Sequence, residues 1–247
     1  MKKLTILPFV ILLLLSTFQL QAQEKERTPI GGRPNIKGDL FLDFGFNMLN
    51  NRPDELNTRF IASRVVNIYY QTQLPIGENS GFTFNPGFGF GLEKLAFQDN
   101  LTLIPDPEKG PNSSQLVPIS EVYGEDIRVE TNTMAINYID IPIEFRYHAN
   151  KDDFNSGFRV AVGGKFGFLY NAHSKIAVTN SEGFSQKVKN SQEYGLSPIR
   201  YGAYTRLGFP GFNLWAYYGL NELFEEDQGP YGTAASQFNF GVSVALF

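Results

Sequence analysis

From Lys37 onward the chain alternates apolar and polar positions with a period of two, the pattern of a β-strand whose two faces meet different surroundings. In residues 37–50, Leu40, Leu42, Phe44, Phe46 and Met48 interleave with Phe41, Asp43, Gly45, Asn47 and Leu49. The alternation returns over residues 63–74, 82–97, 133–147, 158–173, 199–209, 212–220 and 237–247. It is clearest in 82–97, where Phe82, Phe84, Pro86, Phe88, Phe90 and Leu92 face Thr83, Asn85, Gly87, Gly89, Gly91 and Glu93. It is weakest in 212–220, where Trp215 and Tyr217 fall on the polar side.

A soluble sandwich or barrel turns its bulky face inward and covers its outer face with Lys and Glu. Here the second face is rich in Gly, Asn, Gln and Thr with isolated charges, while the aromatic face is nearly charge-free in every segment. That division predicts lipid against the aromatic face and a filled polar lumen on the other. The expected fold is all-β, an eight-stranded antiparallel up-and-down transmembrane β-barrel over residues 37–247. Closure removes the sheet edges that a membrane does not tolerate. Links 75–81, 148–157 and 210–211 are short and alternate with longer ones, of which 98–132 is the longest. Short turns in the periplasm, with both termini there, are the expectation.

Composition sharpens this picture. The 247 residues include 23 Phe and 12 Tyr against 21 Lys plus Arg, more rings than a core of this size buries, so lipid is their expected neighbour. Lys2 and Lys3 precede an apolar run from Leu4 to Leu15 and a polar stretch containing Ala22, which reads as a secretory signal peptide over residues 1–22. Residues 23–36, charged and aperiodic, read as a periplasmic tether. The expected location is the cell outer membrane. A net charge of −4 without a basic run excludes a nucleic-acid partner. With no Cys and only His148 and His173, neither a cofactor nor a metal site is expected.

At NYIDIPIEFRYHAN (137–150) followed by GFRVAVGGKFGFLYNAHSK (157–175), the sequence resembles the outer-membrane β-barrel domain family of Bacteroidetes, the PorT-like proteins. FTFNPGFGFGLEKLAF and NLWAYYGLNELF sit where that family's third and seventh strands would lie. The resemblance implies an outer-membrane barrel; since members named for gliding motility or type IX secretion form a subset, an accessory role in such an apparatus is the alternative function. The terminal aromatic Phe247 matches the residue by which barrel-assembly machinery recognises such proteins, which makes that machinery an expected partner.

Within the expected lumen, Asp43, Glu93, Asp140 and Glu144 nearly balance Arg146, Arg159, Lys165, Arg200 and Arg206. Hairpin register suggests a salt bridge between Asp140 and Lys165, and by the same register Arg146 near Arg159. Catalysis is not expected: His173 and Ser174 are adjacent and point to opposite faces, and Asn171, His173 and Lys175, of one lumen-facing parity, include no hydroxyl. A lipid-A-modifying enzyme is therefore the least favoured reading. Arg64 and Lys94 break the lipid-facing side at the outer ends of adjacent strands, and are candidate contacts for lipopolysaccharide phosphates or plain snorkelling anchors. The acidic residues Glu222, Glu225, Glu226 and Asp227 lack the spacing of a calcium loop. The main reading is a non-enzymatic barrel with a filled lumen, in contact with outer-membrane lipid and lipopolysaccharide, structural or binding an unidentified protein partner through its extracellular loops.

Overall fold

The computed structural model describes residues 38–98 and 100–246. The expected signal peptide and tether, and Phe247, lie outside the described residues. In chain order the strands are β1 (Asp39–Asn50), β2 (Arg64–Gln71), β3 (Leu74–Ile76), β4 (Phe82–Ala96), β5 (Leu101–Asp106), β6 (Gly110–Pro118), β7 (Ile127–His148), β8 (Arg159–Asn180), β9 (Ser185–Ser191), β10 (Ile199–Phe209), β11 (Phe212–Gly219) and β12 (Ser236–Ala245). One short helix, α1 (Ile119–Tyr123), lies between β6 and β7.

Eight of these strands close on themselves with every neighbour antiparallel, in the order β1, β2, β4, β7, β8, β10, β11, β12 and back to β1. The periodicity thus gives the observed strand number. β3 continues the wall beside β4, β5 and β6 pair only with each other, and β9 pairs with the far part of β8. Residues 72–81, 149–158 and 210–211 turn the chain at one end; the long connections all lie at the other. The tightest turn is Pro210 and Gly211, where Pro sets φ and Gly supplies a φ of 97° that a side chain disfavours.

Outward positions carry the rings. Phe88, Phe90, Phe145, Val162, Phe166, Phe168, Leu207 and Leu214 are all exposed. Neighbouring strands bring them into contact, as in Phe84 and Phe145, whose rings are tilted with centroids 5.2 Å apart. No helix among the described residues is long and apolar enough to cross a membrane, a test that does not bear on a barrel. A spanning strand needs about 10 residues, so β7 and β8, 22 residues each, continue well past the band of exposed rings.

The β7–β8 hairpin departs from the expected register by two residues. Its innermost pair is His148 with Arg159, so Asp140 stands opposite Gly167, Lys165 opposite Pro142, and Arg146 opposite Ala161. A shift of two keeps every residue on its expected face and changes only its partner. A second departure changes the face. Tyr138 pairs with Leu169 and Asn137 with Asn171, leaving Tyr170 as the extra residue of a β-bulge. Beyond it Ala172, Ser174 and Ile176 are buried while Lys175 is exposed and Asn171 and His173 half-buried. Asn171, His173 and Lys175 therefore lie on the outer wall and not in the lumen.

Candidate functional site

Between the short turns and the middle of the wall, inward positions of the strands converge on one network of ions. Asp39, Asp43, Glu93, Asp140 and Glu144 meet Arg146, Arg159, Lys165, Arg200 and Arg206, none more than 5% exposed. Such burial is tolerable only if the charges neutralise and hydrogen-bond one another. Arg200 does most of this at the upper level: it grips Asp140 with Nε at 3.1 Å and Nη2 at 2.7 Å, and its Nη1 donates to Glu93. Glu93 also accepts from Asn47 at 3.0 Å, Asn239 at 2.8 Å and Gln237. Lower down, Arg206 meets Asp43 at 3.1 Å, and Arg146 meets Asp39 at 2.6 Å and Glu144 at 3.2 Å.

Aromatic rings complete the filling. The Arg206 guanidinium lies 3.7 Å from the Phe41 ring centroid and that of Arg200 3.9 Å from Tyr138, while the Lys165 ammonium is 4.0 Å from Tyr217. Trp215 and Tyr217, which weaken the alternation of 212–220, are therefore lumen fillers. Small residues leave the room. A Cβ on Gly167 would come within 2.8 Å of Arg200 Nε, and one on Gly91 would collide with both Arg200 and Asp140.

Above Tyr138 the interior becomes apolar. Leu49, Leu95, Met134, Ile136 and Ala172 from the wall pack with Leu56, Leu103, Leu116, Tyr194, Leu196, Leu223 and Phe224 from the long connections. Backbone bonds tie these connections together: Ser114 N donates to Gln228 O at 2.8 Å and Glu225 N to Gly195 O at 2.8 Å. Tyr194 donates to Ser174 Oγ at 2.8 Å. The barrel is filled below and stoppered above.

On the outer wall, Arg64 and Lys94 are direct cross-strand partners. The row continues through Ala135 on β7 to His173 on β8. The next row holds Thr133 and Lys175, with Lys189 opposite Lys175 on β9. Arg64, Lys94, His173 and Lys175 border a cleft of about 380 Å³ whose walls include Val66, Leu92 and Ala135. Beyond the apolar band, burial and then the charges of Lys189 and Lys175 hold the His173 imidazole below its ordinary pKa.

Residues 21–225 match the family model described as outer membrane protein beta-barrel domain. The chain belongs to that family. As a member of the outer-membrane β-barrel domain family it is an outer-membrane protein, and its closed wall and exposed rings are the family's architecture in this sequence. No curated protein matches it. Two matching solved structures are crystal structures of Ail, the attachment invasion locus protein of Yersinia pestis. The first is 11% identical, with a TM-score of 0.37 over 85% of this chain and 97% of that one. The second, in complex with the heparin analogue sucrose octasulfate, is 11% identical, with a TM-score of 0.35 over 85% of this chain and all of that one.

In this outer-membrane barrel Asp140 and Lys165 are brought within 3.9 Å, yet Arg200 is the closer partner of Asp140. Lys165 also donates to Tyr69 Oη at 3.3 Å, and Tyr69 donates to Asp140 at 2.6 Å. Asp39, the fifth lumen acid, has the inward parity of Asp43 and was readable from it. His173 bonds Asn171 at 3.0 Å, and Ser174 points the other way, into the plug. No cluster of metal-binding side chains occurs among the described residues.

Proposed function

We propose that the protein is a sealed, non-enzymatic outer-membrane barrel whose long-loop end faces the cell exterior and serves as a rigid binding platform for a protein partner. The observation that carries this reading is the packing of the interior by buried side chains, paired ions at membrane level and an apolar stopper above them. A lumen so filled leaves no path for solute. The residues 1–22 act as the export signal and 23–36 as a periplasmic tether in this reading. The loops, tied to one another by backbone bonds, project on β7, β8 and β9 and carry exposed Phe184 and Val122, the features of a preorganised surface.

The test uses the absence of native cysteine. The Phe184→Cys variant is expected to react with a membrane-impermeant maleimide on intact cells, and the purified protein to give no conductance in planar bilayers. A steady single-channel current would overturn the seal, and protection of the introduced thiol until cells are opened would overturn the orientation. Crosslinking from that thiol identifies the partner. Loss of secreted cargo on deletion would point instead to the accessory role in type IX secretion or gliding that the PorT-like resemblance raises, and altered lipid A masses to a lipid-A-modifying enzyme.

A further inference from the structure

The outer wall changes character over a short height. Ile68, Phe90, Ile139 and Phe168 form one cross-strand row, all exposed and apolar. The next row up holds Val66, Leu92, Asn137 and, three residues along β8 because of the Tyr170 bulge, Asn171; two residues further up each strand stand Arg64, Lys94, Ala135 and His173. At about 3.3 Å per residue along tilted strands, the cations lie about 10 Å above the last wholly apolar row. That is the depth of a lipid headgroup. Ala135, the small member of its row, leaves the dip between Lys94 and His173, whose strands are about 10 Å apart. Among the described residues no ion pair involves Arg64, Lys94 or Lys175. Arg64 is held by a bond from its Nε to Ile61 O at 3.1 Å, which leaves its outer nitrogens free to point into the cleft.

We propose that this cleft on β2, β4, β7 and β8 binds the phosphorylated sugar headgroup of a membrane-resident glycolipid, with Arg64, Lys94 and Lys175 on phosphate and His173, Asn137 and Thr133 on sugar hydroxyls. The proposal rests on the orientation given above, which sets the cleft at the outer leaflet. Three features select such a ligand. The cations carry the charge that answers phosphate. The cleft's volume, about 380 Å³, exceeds what phosphate alone would fill and suits a sugar. Its apolar lower wall, Val66 and Leu92, runs without a break into the lipid-facing rows, so acyl chains descend along Phe90 and Ile139 while the headgroup stays in the cleft. The Tyr170 bulge is what completes it, because without that extra residue His173 and Lys175 would point inward.

The full mature protein in detergent micelles is titrated with bis-phosphorylated lipid A, dephosphorylated lipid A, phosphatidylglycerol and inorganic phosphate, with native mass spectrometry as readout. Wild type is expected to retain bis-phosphorylated lipid A, and the triple variant Arg64→Gln, Lys94→Gln, Lys175→Gln to bind it at least about tenfold more weakly. Lys151→Gln, at the short-turn end, is the control and should bind as wild type. Heat-modifiable migration on gels verifies that each variant is folded. Equal binding by wild type and triple variant overturns the proposal. So does equal retention of phosphatidylglycerol, which marks a general anionic belt, or displacement of lipid A by equimolar phosphate. Failure of the orientation is read separately, from maleimide labelling of the Phe184→Cys variant on intact cells.

Discussion

Around and below Tyr138 the barrel encloses five carboxylates and five cations, with Glu93, opposite Ile136, the uppermost on its strand; above them the same wall encloses Leu49, Leu95 and Met134. The outer surface runs the opposite way, from Phe90, Ile139 and Phe168 below to Lys94, His173 and Lys175 above. What differs between the halves is the outside solvent. Against hydrocarbon, apolar side chains gain nothing by turning inward, so the interior takes polar groups that must satisfy each other. Against water the ordinary rule returns, and burial of apolar area again stabilises the interior. One wall thus follows two rules, and the strands must change over between them.

β7 and β8 make the change in different ways. In β7 the sequence itself slips: Met134 and Ile136 are inward, Ile139 and Ile141 outward, with Tyr138 at the junction. In β8 the apolar positions keep one phase from Phe166 through Ile176, and the backbone inserts Tyr170 to turn the later ones inward.

The contrast can be broken at either level. The largest effect is expected from Arg200→Met, which leaves Glu93 and Asp140 without their guanidinium; the loss should be about 3–5 kcal/mol, measured by urea unfolding in micelles, and folding yield should fall with it. A loss smaller than that of the next variant would show that the lumen does not depend on this pairing. Leu95→Ala in the stopper should cost about 3 kcal/mol by the same measurement. Hydrogen exchange should then rise around Met134 and Leu196 while amides of the lower wall stay protected. Tyr194→Phe removes the hydroxyl that Ser174 Oγ and Asn190 O share as acceptors and is expected to cost about 1 kcal/mol, with thermal melting as the check. Smallest of all, Lys165→Met should change stability by less than about 1 kcal/mol, because Asp140 keeps Arg200 and Tyr69. A large loss there would make Lys165, and not Arg200, the centre of the upper network.

Much of the lower half was legible in the sequence. Strand number and lumen parity on β4 and β7 follow from a period of two, and the short turn between β2 and β4 also fixes, higher on the outer wall, the opposition of Arg64 and Lys94. The interior of the upper half was not legible, for identifiable reasons. Leu56, Leu103, Leu116, Leu196 and Phe224 are single apolar residues in connections without a period, and only packing assembles them. The β8 bulge leaves the alternation unbroken, so no pattern reveals that Lys175 has changed sides. The two-residue offset between Asp140 and Lys165 was set by where the turn over residues 149–158 closes, which composition does not encode.

The ion network also constrains how the chain is made. Asp43 is neutralised by Arg206, 163 positions later, and Glu93 by Arg200, 107 positions later. Until β10 has docked, the strands already formed carry acids with no counterion, and a half-built wall in the bilayer would hold them at full desolvation cost. Biogenesis must therefore keep the nascent lumen wet and admit it to the membrane as one nearly closed unit. A chain interrupted before Arg200 is left with Asp43 and Glu93 uncompensated on its lumen face.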